Sequence, residues 1–175
     1  MKKFICLLII FVFTGCAAQS VTLSGGVSYT VNEARQIAFD GVPKKIDMSK
    51  YKEYFVDKNF EKNMKLLNEG KTRYRGRILA FFSNQTYSVC YTKNRRIAYY
   101  YSKIGLLEFV DITYKETFPQ KSVTYDINGN IDSVVLSVSV DEQFIFDTNG
   151  KLCVHWIGKN GYDENGIVFG VRNFK

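Results

Sequence analysis

From Arg73 onward the chain reads with a period of two, and this limits its fold more than any other feature. The clearest stretch sets Val134, Leu136, Val138 and Val140 against Val135, Ser137, Ser139 and Asp141. Successive side chains of a strand point to opposite faces, so this stretch has one apolar face and one mostly polar face. The same reading gives strands over 77–82, 86–92, 97–102, 106–114, 122–126, 131–140, 143–147, 152–157 and 167–174. Short turns separate them, which pairs neighbours as hairpins. Composition agrees: the chain has 12 Tyr and 14 Phe against 2 Pro, and rings pack well on a pleated, half-buried surface that proline interrupts. The expected fold is α+β and mostly β, an antiparallel meander of about 8–9 strands, either an open sheet or barrel-like.

Before Arg73 the period is helical. Asn32 is placed to cap a short helix with Ala34, Ile37 and Ala38 on one face, stopped by Gly41 with Pro43 just beyond. Asn59 is placed to cap a second, with Phe60, Met64 and Leu67 on its stripe, Glu61, Lys62, Lys65 and Glu69 on its wet side, and Gly70 as terminator. Residues 44–56 show neither period. Two or more short N-terminal helices should therefore pack on one face of the sheet or plug its end.

The start of the chain carries an address. Lys2 and Lys3 precede the apolar run Phe4–Phe13, and Thr14-Gly15-Cys16-Ala17-Ala18 follows. That order describes a secretory signal peptide, and ten apolar residues are too few for a spanning helix, which needs about 20. Phe13-Thr14-Gly15-Cys16 resembles the lipobox of bacterial lipoproteins, although Phe13 stands where that family has Leu, Val or Ile. The resemblance implies cleavage before Cys16, diacylglycerol and an amide-linked acyl chain on Cys16, and anchoring in the bacterial cell envelope. With Ala17 rather than Asp after the cysteine, it implies the outer membrane in a Gram-negative organism. The expected division is a signal peptide over 1–15, a lipidated N-terminus and flexible tether over 16–30, and one β-rich domain over 31–175, helical over 31–72 and sheet over 73–175. An edge strand over 21–29 is the other reading of the tether.

Three turns share a pattern. Tyr125-Asp126-Ile127-Asn128-Gly129, Phe146-Asp147-Thr148-Asn149-Gly150 and Tyr162-Asp163-Glu164-Asn165-Gly166 all read aromatic-Asp-x-Asn-Gly. Asp can bond the backbone two residues on, while Asn and Gly tolerate positive φ. The pattern resembles the tyrosine-aspartate repeats of bacterial surface and toxin-shell proteins and the β-hairpin repeats of some antitoxin-like proteins. Ordinary hairpin turns account for it as well. It is no calcium loop: an EF-hand places Gly sixth and Glu twelfth, whereas Gly129 and Gly150 are fourth from their Asp, and Ser137 and Gly158 stand twelfth.

Candidate chemistry is sparse. Arg73, Arg75 and Arg77 alternate, which on a strand gives them one face with Tyr74 opposite; Arg95-Arg96 and Tyr99-Tyr100-Tyr101 follow. Arginine beside aromatic rings can bind phosphate or sugar, and equally can be a solvated edge. The net charge of +7, two units of it from Lys2 and Lys3, suits anionic envelope polymer as well as plain solubility. Cys90 and Cys153 can pair as a disulfide or remain thiols. The single histidine, His155, is two residues from Cys153. Along a strand they stand roughly 7 Å apart, beyond direct proton transfer. There is no G-x-S-x-G, P-loop, G-x-G-x-x-G or H-E-x-x-H. The residues imply no catalytic group, cofactor or metal ligand. The expected function is a lipid-anchored envelope binding module, with the membrane, an envelope protein or an anionic polymer as partner and no nucleic acid. A small envelope hydrolase is the alternative.

Overall fold

A computed structural model describes residues 29–82 and 84–172. Cys16, the signal segment and all but the end of the expected tether lie outside the described residues. The sheet is an open antiparallel meander in which each strand pairs with the next. Its strands are β1 (Arg73–Tyr74), β2 (Arg77–Phe81), β3 (Tyr87–Tyr91), β4 (Asn94–Tyr101), β5 (Leu107–Lys115), β6 (Gln120–Asp126), β7 (Ile131–Ser137), β8 (Glu142–Asp147), β9 (Leu152–Ile157), β10 (Asn160–Tyr162) and β11 (Val168–Val171). This is the mostly β, α+β meander expected from the alternation, in its open form. Two strands are additional, β1 and β10, each too short to show a period. β7 stops at Ser137 because Ser139 turns the chain, its hydroxyl accepting the N–H groups of Asp141 (3.2 Å) and Glu142 (3.1 Å).

Five hairpins leave the sheet at the same end, and all five use one turn. In the β6–β7 turn Asp126 Oδ1 accepts the N–H groups of Asn128 (2.8 Å) and Asn130 (2.9 Å). Asp147 does the same for Asn149 and Lys151 in β8–β9, and Asp163 for Asn165 and Ile167 in β10–β11. In β4–β5 the Ser102 hydroxyl replaces the carboxylate, accepting from Ile104 and Leu106. In β2–β3 the main-chain bonds are kept, Phe82 N–H to Thr86 O and Gln85 N–H to Phe82 O, while Asn84 Oδ1 accepts the Thr86 N–H (3.1 Å) and hydroxyl (2.6 Å), and Gln85 stands at φ +66° where the other four turns have glycine. Each turn follows an aromatic: Phe81, Tyr101, Tyr125, Phe146 and Tyr162. The chain is thus an array of five similar hairpins, and the repeated motif is a turn device whose polar groups satisfy one another.

One face of the sheet is covered by α1 (Val31–Phe39), a 3-10 helix (Met48–Tyr54) and α2 (Phe60–Asn68). Thr30, not Asn32, caps α1. It forms a reciprocal capping box with Glu33. Ala34 and Ala38 of α1 are fully buried against Val123, Tyr125, Leu136, Phe144 and Phe146. Met48 and Leu66 close a second core over Leu79, Tyr87, Val89, Tyr99 and Val110. The 3-10 helix, which has no 3.6-residue period to betray it, delivers Tyr54 onto the Tyr99 ring at 4.1 Å. Three bonds fix this layer to the row of turns: Arg35 Nε–H to Gly150 O (2.5 Å), Ile46 N–H to Gly129 O (2.9 Å) and Asp57 N–H to Gly105 O (2.9 Å). Successive turn carbonyls are each satisfied by the N-terminal layer as it passes along the sheet.

Candidate functional site

The opposite end of the sheet gathers the arginines. Arg75 and Gly76 form a two-residue turn between β1 and β2, with Tyr74 paired to Arg77 and Arg73 to Ile78. Both central residues have positive φ, +42° and +77°, the requirement of a type I′ hairpin turn. The turn corrects the expectation that Arg73, Arg75 and Arg77 share one face opposite Tyr74. The chain reverses between them. Arg77 and its partner Tyr74 lie on the helix side, Arg73 belongs to the other face, and Arg75 stands at the tip. Thr92, in the β3–β4 turn, latches the tip by giving Gly76 O both its N–H (2.9 Å) and its hydroxyl (3.2 Å).

Arg73, Tyr74, Arg75, Gly76, Arg77, Ile78, Thr92 and Arg95 line a shallow depression of about 210 Å³. Four arginines contribute to its lining and no lining residue is acidic. The Tyr74 ring is the hub. Lys62 Nζ lies 4.7 Å from its centroid, and the Arg75 and Arg77 guanidinium carbons lie at 5.2 and 5.7 Å. Such contacts place cations on the ring's negative face, but they do not neutralise them. Arg96 turns away to pair with Glu116 at 3.1 Å.

Arg77 differs from its neighbours in being 7% exposed. Its Nη1–H donates to Asn63 Oδ1 at 2.6 Å. Asn63, fully buried on α2, donates in turn to Asp57 Oδ2 (2.7 Å). Asp57 also accepts the Tyr87 hydroxyl on Oδ2 (2.7 Å) and the Asn59 N–H on Oδ1 (2.8 Å). Burial, with Asp57 alongside, pushes the Tyr87 phenol far above its ordinary value. Asp57 is thus occupied by three donors away from Arg77, and among the described residues no carboxylate lies within 4 Å of Arg77. This network escaped the sequence reading, although a polar Asn63 beside the apolar stripe of Phe60, Met64 and Leu67 is its trace.

The remaining candidates are structural. Cys90 and Cys153 are thiols, not a disulfide. They sit on β3 and β9, six strands apart, and neighbouring strands stand about 4.8 Å from one another, so the pair is far outside disulfide reach. Burial pushes the Cys90 thiol up, toward the unreactive form. A bulge in the β8–β9 pairing puts both Leu152 and His155 on the helix side, opposite Phe146 and Phe144, and breaks the alternation. His155 stacks on Phe144 at 3.8 Å and lies 2.9 Å from Glu142 Oε1, to which its Nε2–H donates. On the sheet's other face Asp111 is buried with Thr124 donating to it at 3.2 Å; burial raises its carboxyl to about 7, against the pull of hydrogen bonds from Thr124 and Ser122. Among the described residues no cluster of three His, Cys, Asp or Glu could hold a metal. No family model, curated protein or solved structure matches this chain.

Proposed function

We propose that this chain is a lipid-anchored protein of the bacterial envelope that works as a binding module, holding an anionic envelope polymer at the β1–β2 hairpin. The observation that carries the reading is the convergence of Arg73, Arg75, Arg77 and Arg95 on one depression with no acidic lining residue. Like charges gathered so closely repel, and Arg forks match the oxyanions that would relieve them. The turn that gathers them is rigid, pinned by Thr92 and backed by the α2 network. The sequence supports the address: the apolar run Phe4–Phe13 and the lipobox-like ending at Cys16 give the lipid attachment, and two or three acyl chains anchor stably where one is marginal.

Retention of the full chain, in detergent, on immobilised cell-wall polymer and lipopolysaccharide tests the binding. It should fall steeply with added salt, as phosphate-type contacts do. It should also fall for a protein carrying Arg73→Gln, Arg75→Gln and Arg95→Gln together. Retention that ignores both salt and the triple substitution overturns the reading.

A further inference from the structure

We propose that the β9–β11 end of the sheet rests on the surface of the membrane that holds Cys16, with Ile157, Val168 and Val171 seated among the lipid headgroups. The inference goes beyond the polymer site and rests on the lipid anchor at Cys16. β11 is the last strand of the sheet and pairs, among the described residues, with β10 alone. Asn160 stands opposite both Ile157 and Val171, and Tyr162 opposite both His155 and Val168. Ile157, Val168 and Val171 therefore share the helix side with His155. On that side α1 covers β7 and β8, and these three residues remain about half exposed or more, as do their chain neighbours Ile167 and Phe169. An uncovered apolar patch at the end of a sheet marks an interaction surface. Its backing is firm. On the other face the Trp156 ring fills the space over Gly161 and Gly170, where an added Cβ would stand 2.9 and 3.7 Å from it. Arg172 lies 5.1 Å from a Trp156 ring centroid and donates to Gly158 O (2.8 Å) and Gln143 Oε1 (3.0 Å).

The point where the chain enters the structure selects the occupant. Arg35 bonds Gly150 O in the β8–β9 turn, and Lys121 of β6 donates to Ile37 O at 3.2 Å. α1 thus runs in from the β9 side, with Tyr29 and Val31 on a core that includes Leu152. β11 is two strand spacings from β9, about 10 Å. Residues 17–28 reach at most roughly 45 Å, so a bilayer that carries Cys16 lies within reach of the patch. A second copy fits less well. Val168 pairs with Tyr162 and Gly170 with Gly161, which leaves Phe169 as a bulge, and a bulged edge resists the addition of another strand. The open edge also limits depth: its backbone groups would lack partners in hydrocarbon, so the patch stays at headgroup level. β1 and its arginines lie at the opposite edge of the sheet, where a polymer keeps clear of the bilayer.

The test uses the full lipidated chain in vesicles of phosphatidylethanolamine and phosphatidylglycerol with brominated acyl chains. Val171→Trp places a reporter in the patch. Ile104→Trp, at an exposed site in the β4–β5 turn, places one away from it. The wild-type signal, from Trp156, is subtracted. Val171→Trp emission should move to shorter wavelength and lose most of its intensity to the brominated lipid; Ile104→Trp emission should do neither. Adding Ile157→Asp to the Val171→Trp chain should remove the quenching and leave the melting temperature unchanged, because Ile157 is already half exposed. Equal quenching at both sites, or none at Val171→Trp in a chain that floats with the vesicles, overturns the docking and leaves the anchor standing. A chain that fails to float overturns the anchor and the docking with it. A Val171→Trp signal shielded from aqueous acrylamide but untouched by brominated lipid would mean that protein covers the patch, the tether or a second copy, and also overturns the docking.

Discussion

Arg75→Asn should make the protein more stable and worse at binding. At φ +42° an ordinary side chain pays roughly 1 kcal/mol or more for the left-handed conformation. Asn is the preferred residue at this position of a type I′ turn before Gly. The substitution removes one cation from a group of four that face no acid in the depression. It also gives up the contact of Arg75 with the Tyr74 ring at 5.2 Å, worth about 0.5 kcal/mol at an exposed site. The net gain is therefore about 0.5–1 kcal/mol, a rise of roughly 2 °C in melting temperature for a chain of this size. Retention on polymer should fall at the same time. Thermal unfolding and polymer retention on the same preparation read both effects. Gly76→Ala is the control: at φ +77°, with its new Cβ 3.4 Å from the Thr92 hydroxyl, it should lose stability and binding together. An Arg75→Asn protein that melts lower, or one that melts higher and binds as before, refutes the idea that strain is held at the tip for a ligand.

Four further outcomes are expected. Cys16→Ala should abolish entry into the detergent phase, and a variant that still partitions there after proven signal cleavage rules out the anchor. Gly129→Val should destabilise by well over the ~1 kcal/mol of backbone strain alone, because its Cβ would stand 2.1 Å from Ile46 O at φ +80°; a melting temperature close to wild type would show that the Ile46 segment does not pack there. Asp111→Asn should change the pH dependence of stability. The folded chain keeps the Asp111 proton to about pH 7, while the unfolded chain loses it near the ordinary aspartate value of 3.8. Between those values the unfolded state binds fewer protons, so stability falls as pH rises, by up to about 1.4 kcal/mol per unit; denaturant unfolding of the Asn variant should lack that slope, and an unchanged slope contradicts it. His155→Ala should lower stability by about 1 kcal/mol through the lost stack on Phe144 and leave polymer retention intact; a folded variant without retention would point to chemistry at His155.

The fold was legible where a period runs long enough to be seen. Val134 to Val140 and the Asp-x-Asn-Gly turns carry the meander, because alternation and turn chemistry are both local. Two of the five equivalent turns were hidden by substitution: Ser102 does with a hydroxyl what Asp126 does with a carboxylate, and Gln85 takes the positive φ of Gly129. The arginines were visible, but their geometry was not. Counting alternation through Arg75-Gly76 treats a reversal as a straight strand, and only the pairing of Tyr74 with Arg77 shows the turn. Arg77 is held by a network of Asn63, Asp57 and Tyr87, which lie 14, 20 and 10 residues away along the chain; its one local trace is the polar Asn63 beside the apolar stripe of α2. The place of His155 on the same side as Leu152 likewise follows from a bulge that periodicity cannot register.

The most direct measurement is to follow the arginine Nε–Hε resonances of the full chain, in detergent, as an anionic cell-wall polymer is added. The exposed Arg73, Arg75 and Arg95 should shift together with one saturation curve. Arg35, bonded to Gly150 O, and Arg172, bonded to Gly158 O, should stay in place. Shifts spread over Arg35 and Arg172 as much as over the hairpin, or Arg73, Arg75 and Arg95 signals that do not move while the polymer binds, would contradict the account.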